Sequence, residues 1–123
     1  MSSENIIKIF FHMQHSIKLY HWQTTSYPRH KATNDLLDSL NDLIDTFVET
    51  YIGKYSRPSF KNDLVLSISE HSDDDIIKLF NRYIKFLSTE IMKYVSSTDT
   101  DLLNIRDEML GLFNKTLYLF TLE

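Results

Sequence analysis

The chain predicts an all-α protein: four amphipathic helices in one bundle, with a long crossover between the second and the third. Three observations carry this expectation. Apolar residues recur at three-four spacing in four separate stretches, the mark of helices with one buried face. Only two glycines and two prolines occur among 123 residues, too few for an all-β chain that must turn tightly many times. The predicted links run short, long, short, and the long one has enough residues to carry the chain from one end of a bundle to the other.

The first helix is expected over residues 3–22, with Ile6, Phe10, Met13, Ile17 and Tyr20 on its apolar stripe and Ser2 or Ser3 as its cap. His12 and His15 also fall on it and read as surface or boundary histidines. The link Gln23 to Tyr27 is short, so the first two helices are antiparallel neighbours. Pro28 suits the first turn of the second helix, where a missing N–H costs nothing, with Ser26 or Tyr27 at the cap.

The second helix is expected over residues 28–52, with Gly53 as a left-handed terminator. Leu36, Leu40, Leu43, Ile44, Phe47 and Tyr51 form its apolar face. At about 100° per residue, Asp38, Asp42, Asp45 and Glu49 gather on the opposite side, pointing away from the chain's own core. Residues 54–71 form the long connection, interrupted at Arg57-Pro58, with a short helix expected after Asn62 through Leu64, Val65, Leu66 and Ile68. A helix of this length spans about 37 Å, which such a connection can cross, so the second and third helices are expected to run parallel.

The third helix is expected over residues 72–95, opened by Ser72 and three aspartates that suit its positive end, with Ile76, Phe80, Tyr83, Leu87, Ile91 and Tyr94 inward. The fourth is expected over residues 99–122, with Thr98 and Asp101 at capping-box spacing and Leu102, Ile105, Met109, Phe113, Leu117 and Phe120 inward. One domain over residues 1–123 accounts for the whole pattern.

Composition narrows the function classes. The absence of cysteine excludes a disulfide scaffold, a thiolate zinc site and thiol chemistry, and fits a reducing compartment, so a cytoplasmic location is expected. No run resembles a signal peptide and none approaches the roughly 20 apolar residues of a membrane span. At a net charge of −4 without a Lys/Arg cluster, nucleic acid is not an expected partner.

The residues that can do chemistry lie between Lys18 and Tyr55. His21 closes the first helix, His30 lies in the first turn of the second, and Asp45 and Glu49 sit one turn apart on its outer face. Two imidazoles and two carboxylates suit divalent iron or zinc. Because the carboxylates face away from the core, a second subunit is expected to complete such a site. The E-x-x-H motifs of an intrasubunit di-iron centre are missing: neither Glu90 nor Glu108 has a histidine on its helix.

The pair His21-Trp22, His30 fifteen positions before Asp45, and Glu49 four further on resemble the signature of the Dps-type miniferritins (DNA-binding proteins from starved cells). The resemblance implies a ferritin-like bundle and a metal site of His21, His30, Asp45 and Glu49 shared between subunits. It also implies iron (Fe2+/Fe3+) as the metal, with zinc (Zn2+) able to take its place, and ferroxidase-type oxidation of Fe(II) by peroxide or oxygen. Trp22 reads from the sequence as a packing residue; the resemblance implies an oxidisable ring beside the iron. The implied partner is the chain itself, as a dimer at least and a hollow shell at most. The two histidines are nine positions apart where the family usually has twelve, and Asn34 stands where the family often has an aspartate. The alternative is a non-catalytic helical assembly protein that keeps the ferritin-like fold and an acidic interface without metal chemistry.

Overall fold

A computed structural model describes residues 3–122. Four helices form, α1 (Glu4–Gln23), α2 (Tyr27–Lys54), α3 (Asp73–Ser88) and α4 (Thr100–Leu119), and no strand occurs among the described residues. α2 packs against α1 and α4, and α3 packs against α4. The predicted stripes make the shared core: Ile6, Phe10, Met13, Ile17, Leu40, Phe47, Ile76, Phe80, Leu87, Leu102, Met109 and Phe113 are all buried. Edge-to-face aromatic pairs tie the layers together, Phe10 to Phe47 and Phe80 to Phe113, each with centroids 5.3 Å apart.

Polar contacts at the two poles fix the topology. At one pole the start of α3 meets the α1–α2 turn: the Tyr20 hydroxyl donates to Asp73 Oδ1 at 2.7 Å and Arg29 Nη1 donates to the Asp73 carbonyl at 2.8 Å. At the other pole the end of α2 meets the start of α4, where Lys54 Nζ lies 2.8 Å from Asp99 Oδ1 and 2.8 Å from Asp101 Oδ1. Helices α2 and α3 therefore begin at the same pole and run parallel, as the length of the connection predicted. Two antiparallel hairpins joined by one long crossover is the connectivity of ferritin-like bundles, rather than that of an up-down-up-down bundle.

Several local expectations need correction. The crossover carries no short helix: residues 63–71 are neither helical nor hydrogen-bonded as a turn. Leu64, Leu66 and Ile68 are half-buried while Asp63, Val65, Ser67 and Ser69 are exposed. That two-residue period is the signature of an extended chain laid over a core. The strap runs beside α1, with residues 59–65 near Glu4 and Lys8, and Ser67 beside His12. Gly53 does not terminate α2 and has no positive φ; the helix continues to Lys54, whose ammonium is gripped by Asp99 and Asp101.

The third helix stops at Ser88 instead of running to 95, followed by a 3-10 turn at Glu90–Lys93. Arg106 Nη1 satisfies the Leu87 carbonyl at 2.9 Å, one of the acceptors that helix end leaves open. Thr98 and Asp101 make no capping box, because Asp101 turns to Lys54 and Asp99 occupies the cap position. Ser26 and Ser72 cap as expected, accepting from Arg29 N–H and Asp75 N–H. Ser3 precedes α1 without a side-chain cap bond, and Ser2 lies outside the described residues.

Candidate functional site

The α1–α2 turn brings His21 and His30 together. Their rings stack with centroids 3.8 Å apart and planes 17° from parallel. His21 is buried, at 5% exposure, whereas His30 is exposed. The hydrogen bonds set both tautomers. The Thr33 hydroxyl donates to the Arg29 carbonyl at 2.8 Å, so its oxygen is left to accept from His21 Nδ1–H at 3.0 Å. His30 Nδ1–H donates to the His21 carbonyl at 2.8 Å. In its neutral form each ring therefore has its Nδ1 engaged and an Nε2 lone pair left over, which is the state in which histidines usually bind metal. Burial, followed by the nearby His30, pushes the His21 imidazolium down from its ordinary value and so favours the neutral ring.

Asp45 and Glu49 are both exposed on the outer face of α2, in line with Asp38 and Asp42. They lie fifteen or more residues beyond His30, about 22 Å along the axis of the same helix. Within one chain the histidines and carboxylates do not meet, and among the described residues no group of three or more potential ligands converges on one point. The four residues therefore lie in two separate pairs, one at the pole and one at mid-helix. Nitrogen and carboxylate donors together fit iron or zinc in type, provided that a second copy supplies the missing half.

Ring stacking limits the histidine half. Imidazole lone pairs lie in the ring plane, so near-parallel rings cannot aim both Nε2 atoms at one ion. His21 is fixed by Thr33 and its burial, so His30, on the exposed side, is the ring that must turn for the two to converge. Trp22, expected to pack, is 67% exposed instead, with Lys18 Nζ 5.2 Å from its ring centroid. His15 is exposed as expected. His12 is not a bland boundary residue: Nε2–H donates to the Ser67 carbonyl at 3.1 Å and Nδ1 accepts from the Tyr83 hydroxyl at 2.7 Å.

Two residues of this region escaped the sequence reading. Arg29 is buried beneath Phe120, its guanidinium carbon 4.5 Å from the ring centroid, and its Nε has no partner. Thr33 is fully buried and sets the His21 tautomer. The available signal was their register: positions 29, 33, 36 and 40 continue one apolar stripe, so a polar residue there has to bury and find partners.

Residues 21–120 match a family of unknown function, DUF5856. The chain is 32% identical over 103 residues to an uncharacterised 14.6 kDa protein in the mobD-ri intergenic region of Enterobacteria phage T4. That alignment covers 84% of this chain and 75% of the relative. No solved structure matches the chain.

Proposed function

The chain belongs to the DUF5856 family, and we propose that it is a Dps-like homo-oligomeric iron-binding protein whose site is shared between subunits. His21 and His30 of one copy face Asp45 and Glu49 of another, and Fe(II) is the substrate taken up between them. The observation that carries this reading is the committed tautomer pair: both Nδ1 atoms are engaged and both Nε2 lone pairs are spare. Exposed carboxylates one turn apart and the single-crossover bundle support it. His21 is the fixed donor, held by Thr33; His30 turns to admit the ion; the carboxylates neutralise its charge. Where peroxide is the oxidant, each bound Fe(II) gives up one electron, and two such electrons with two protons reduce one peroxide to water. Trp22 lies next to His21 in sequence and is an exposed, oxidisable ring beside the site along the chain.

The rival, a non-catalytic assembly protein, is favoured by the near-parallel stack, which does not aim both rings at one ion. In that reading the histidines staple the α1–α2 turn. Calorimetric titration of the purified protein with Fe(II) or Zn(II), alongside thermal melts, separates the two. Asp45→Asn with Glu49→Gln should abolish tight binding and leave the melt unchanged or slightly higher, because like charges one turn apart repel by about 0.2–0.5 kcal/mol. His30→Ala should weaken binding with little effect on the melt. Unchanged affinity in the carboxylate double variant, with a lowered melt in His30→Ala, would leave the assembly reading standing.

A further inference from the structure

The strap offers an unpaired strand edge. Residues 56–71 make no backbone–backbone hydrogen bond, although residues 63–70 contain no helix, turn or bend and burial alternates over residues 63–69, the period of an extended chain. In an extended chain the N–H and C=O of one residue point to the same side, and those of its neighbours point to the other. The Ser67 carbonyl accepts from His12 Nε2–H at 3.1 Å, so the edge carrying residues 65, 67 and 69 faces α1. Leu64, Leu66, Ile68 and Glu70 therefore present their backbone groups on the opposite edge. Such a row of free donors and acceptors is a template for another extended chain.

We propose that this edge pairs antiparallel with the same segment of a second copy, about a two-fold axis at Ser67. The alternation allows it: with the axis on a residue, Leu64, Leu66 and Ile68 stay against their own bundle in both copies. Charge selects the residue. Centred on Ser67, Asp63 lies opposite His71 of the partner subunit; centred on Leu66, Lys61 would lie opposite it, base against base. The Ser67 register makes Leu66–Ile68 and Leu64–Glu70 the hydrogen-bonded pairs, each occurring twice, for roughly eight backbone bonds. It also sets Val65, 68% exposed on the single copy, beside Ser69 of the partner subunit. This contact goes beyond the iron reading and does not depend on it.

The absence of native cysteine makes the register directly measurable. Ser67 sits at a non-hydrogen-bonded pair, where opposed Cα atoms are about 4.5 Å apart, within reach of a disulfide. With full-length, metal-free protein in EDTA under a mild oxidant, Ser67→Cys should form a covalent dimer at least tenfold faster than Ser39→Cys, an exposed control on α2. Val65→Cys and Ser69→Cys should each cross-link no faster than the control alone, but rapidly when mixed. Sedimentation of the wild type in EDTA should show a dimer that Asp63→Lys weakens and added His71→Asp restores. A Ser67→Cys rate equal to that of the control, or a wild type that sediments as a monomer throughout, overturns the proposal. Fastest cross-linking in a Val65→Cys plus Ser67→Cys mixture overturns its register. Because metal is absent throughout, a failed cross-link leaves the iron reading untouched, and loss of metal binding leaves this contact untouched.

Discussion

His12 Nε2–H donates to the Ser67 carbonyl, which leaves Nδ1 of the neutral ring to accept from the Tyr83 hydroxyl, a hydroxyl that also lies 3.2 Å from the His12 carbonyl. Burial lowers its pKa from the ordinary 6.5; the Ser67 carbonyl works against the shift, and the charges of His71 and Arg82 add to it. His21 is lowered for the same leading reason. The unfolded chain thus binds protons that the fold refuses, so the stability these rings contribute is complete above pH 6.5 and is lost as pH falls through their folded values. Thermal melts should drop between pH 7.5 and 5, and the drop should be smaller in His12→Gln; parallel curves for the two proteins would rule this out. At this scale the sequence was half legible. It named His21 and His30 as a pair, but Thr33, which orients one of them, and Ser67, which engages His12, are visible only once the turn and the strap have been folded.

At the scale of elements, Asp99 links three segments. It accepts from the Ser96 N–H, the Tyr55 hydroxyl and Lys54 Nζ, tying the end of α2 to the start of α4. The Lys54 ammonium, then the Ser96 N–H and the Tyr55 hydroxyl, pull its carboxyl down from 3.8 to about 2. A depressed carboxylate stabilises the fold above its unfolded value and loses that contribution as pH falls through its folded one. Asp99→Asn should therefore lower the melting temperature at neutral pH and make the acid limb between pH 4 and 2 shallower, as read by circular dichroism. Helix existence was legible because each stripe spans several turns. Helix ends were less so: Gly53 looked like a stop, but the Lys54–Asp99 contact lies 45 residues away in sequence and carries α2 past it. The crossover misled for a related reason. Leu64, Val65, Leu66 and Ile68 after Asn62 include an i,i+4 pair that a helix turn can use, but the alternation at 64, 66 and 68 is the period of an extended chain.

For the whole molecule, the parallel course of α2 and α3 was legible from the length of one connection, while whether copies pair is not, because an outward-facing acidic stripe looks the same whether water or a subunit covers it. The iron reading rests on the same ambiguity, which the carboxylate double variant resolves. The polar contacts at the two poles carry a kinetic consequence. Arg29 to Asp73 and Tyr55 to Asp99 each close a separation of 44 residues that includes the long connection, whereas α1–α2 and α3–α4 are hairpins that can zip up from the turns joining them. Ordering so long a loop has to precede any gain from its closure, so the hairpins should collapse first and the polar clasps should form after the rate-limiting step. Removing one should then act on escape from the native state more than on arrival. Arg29→Met discards charge-assisted hydrogen bonds of about 2 kcal/mol, so in stopped-flow experiments its unfolding should be roughly thirtyfold faster and its refolding nearly unchanged. A variant that refolded thirtyfold slower instead would place that clasp in the nucleus, and the protein would assemble from its poles inward.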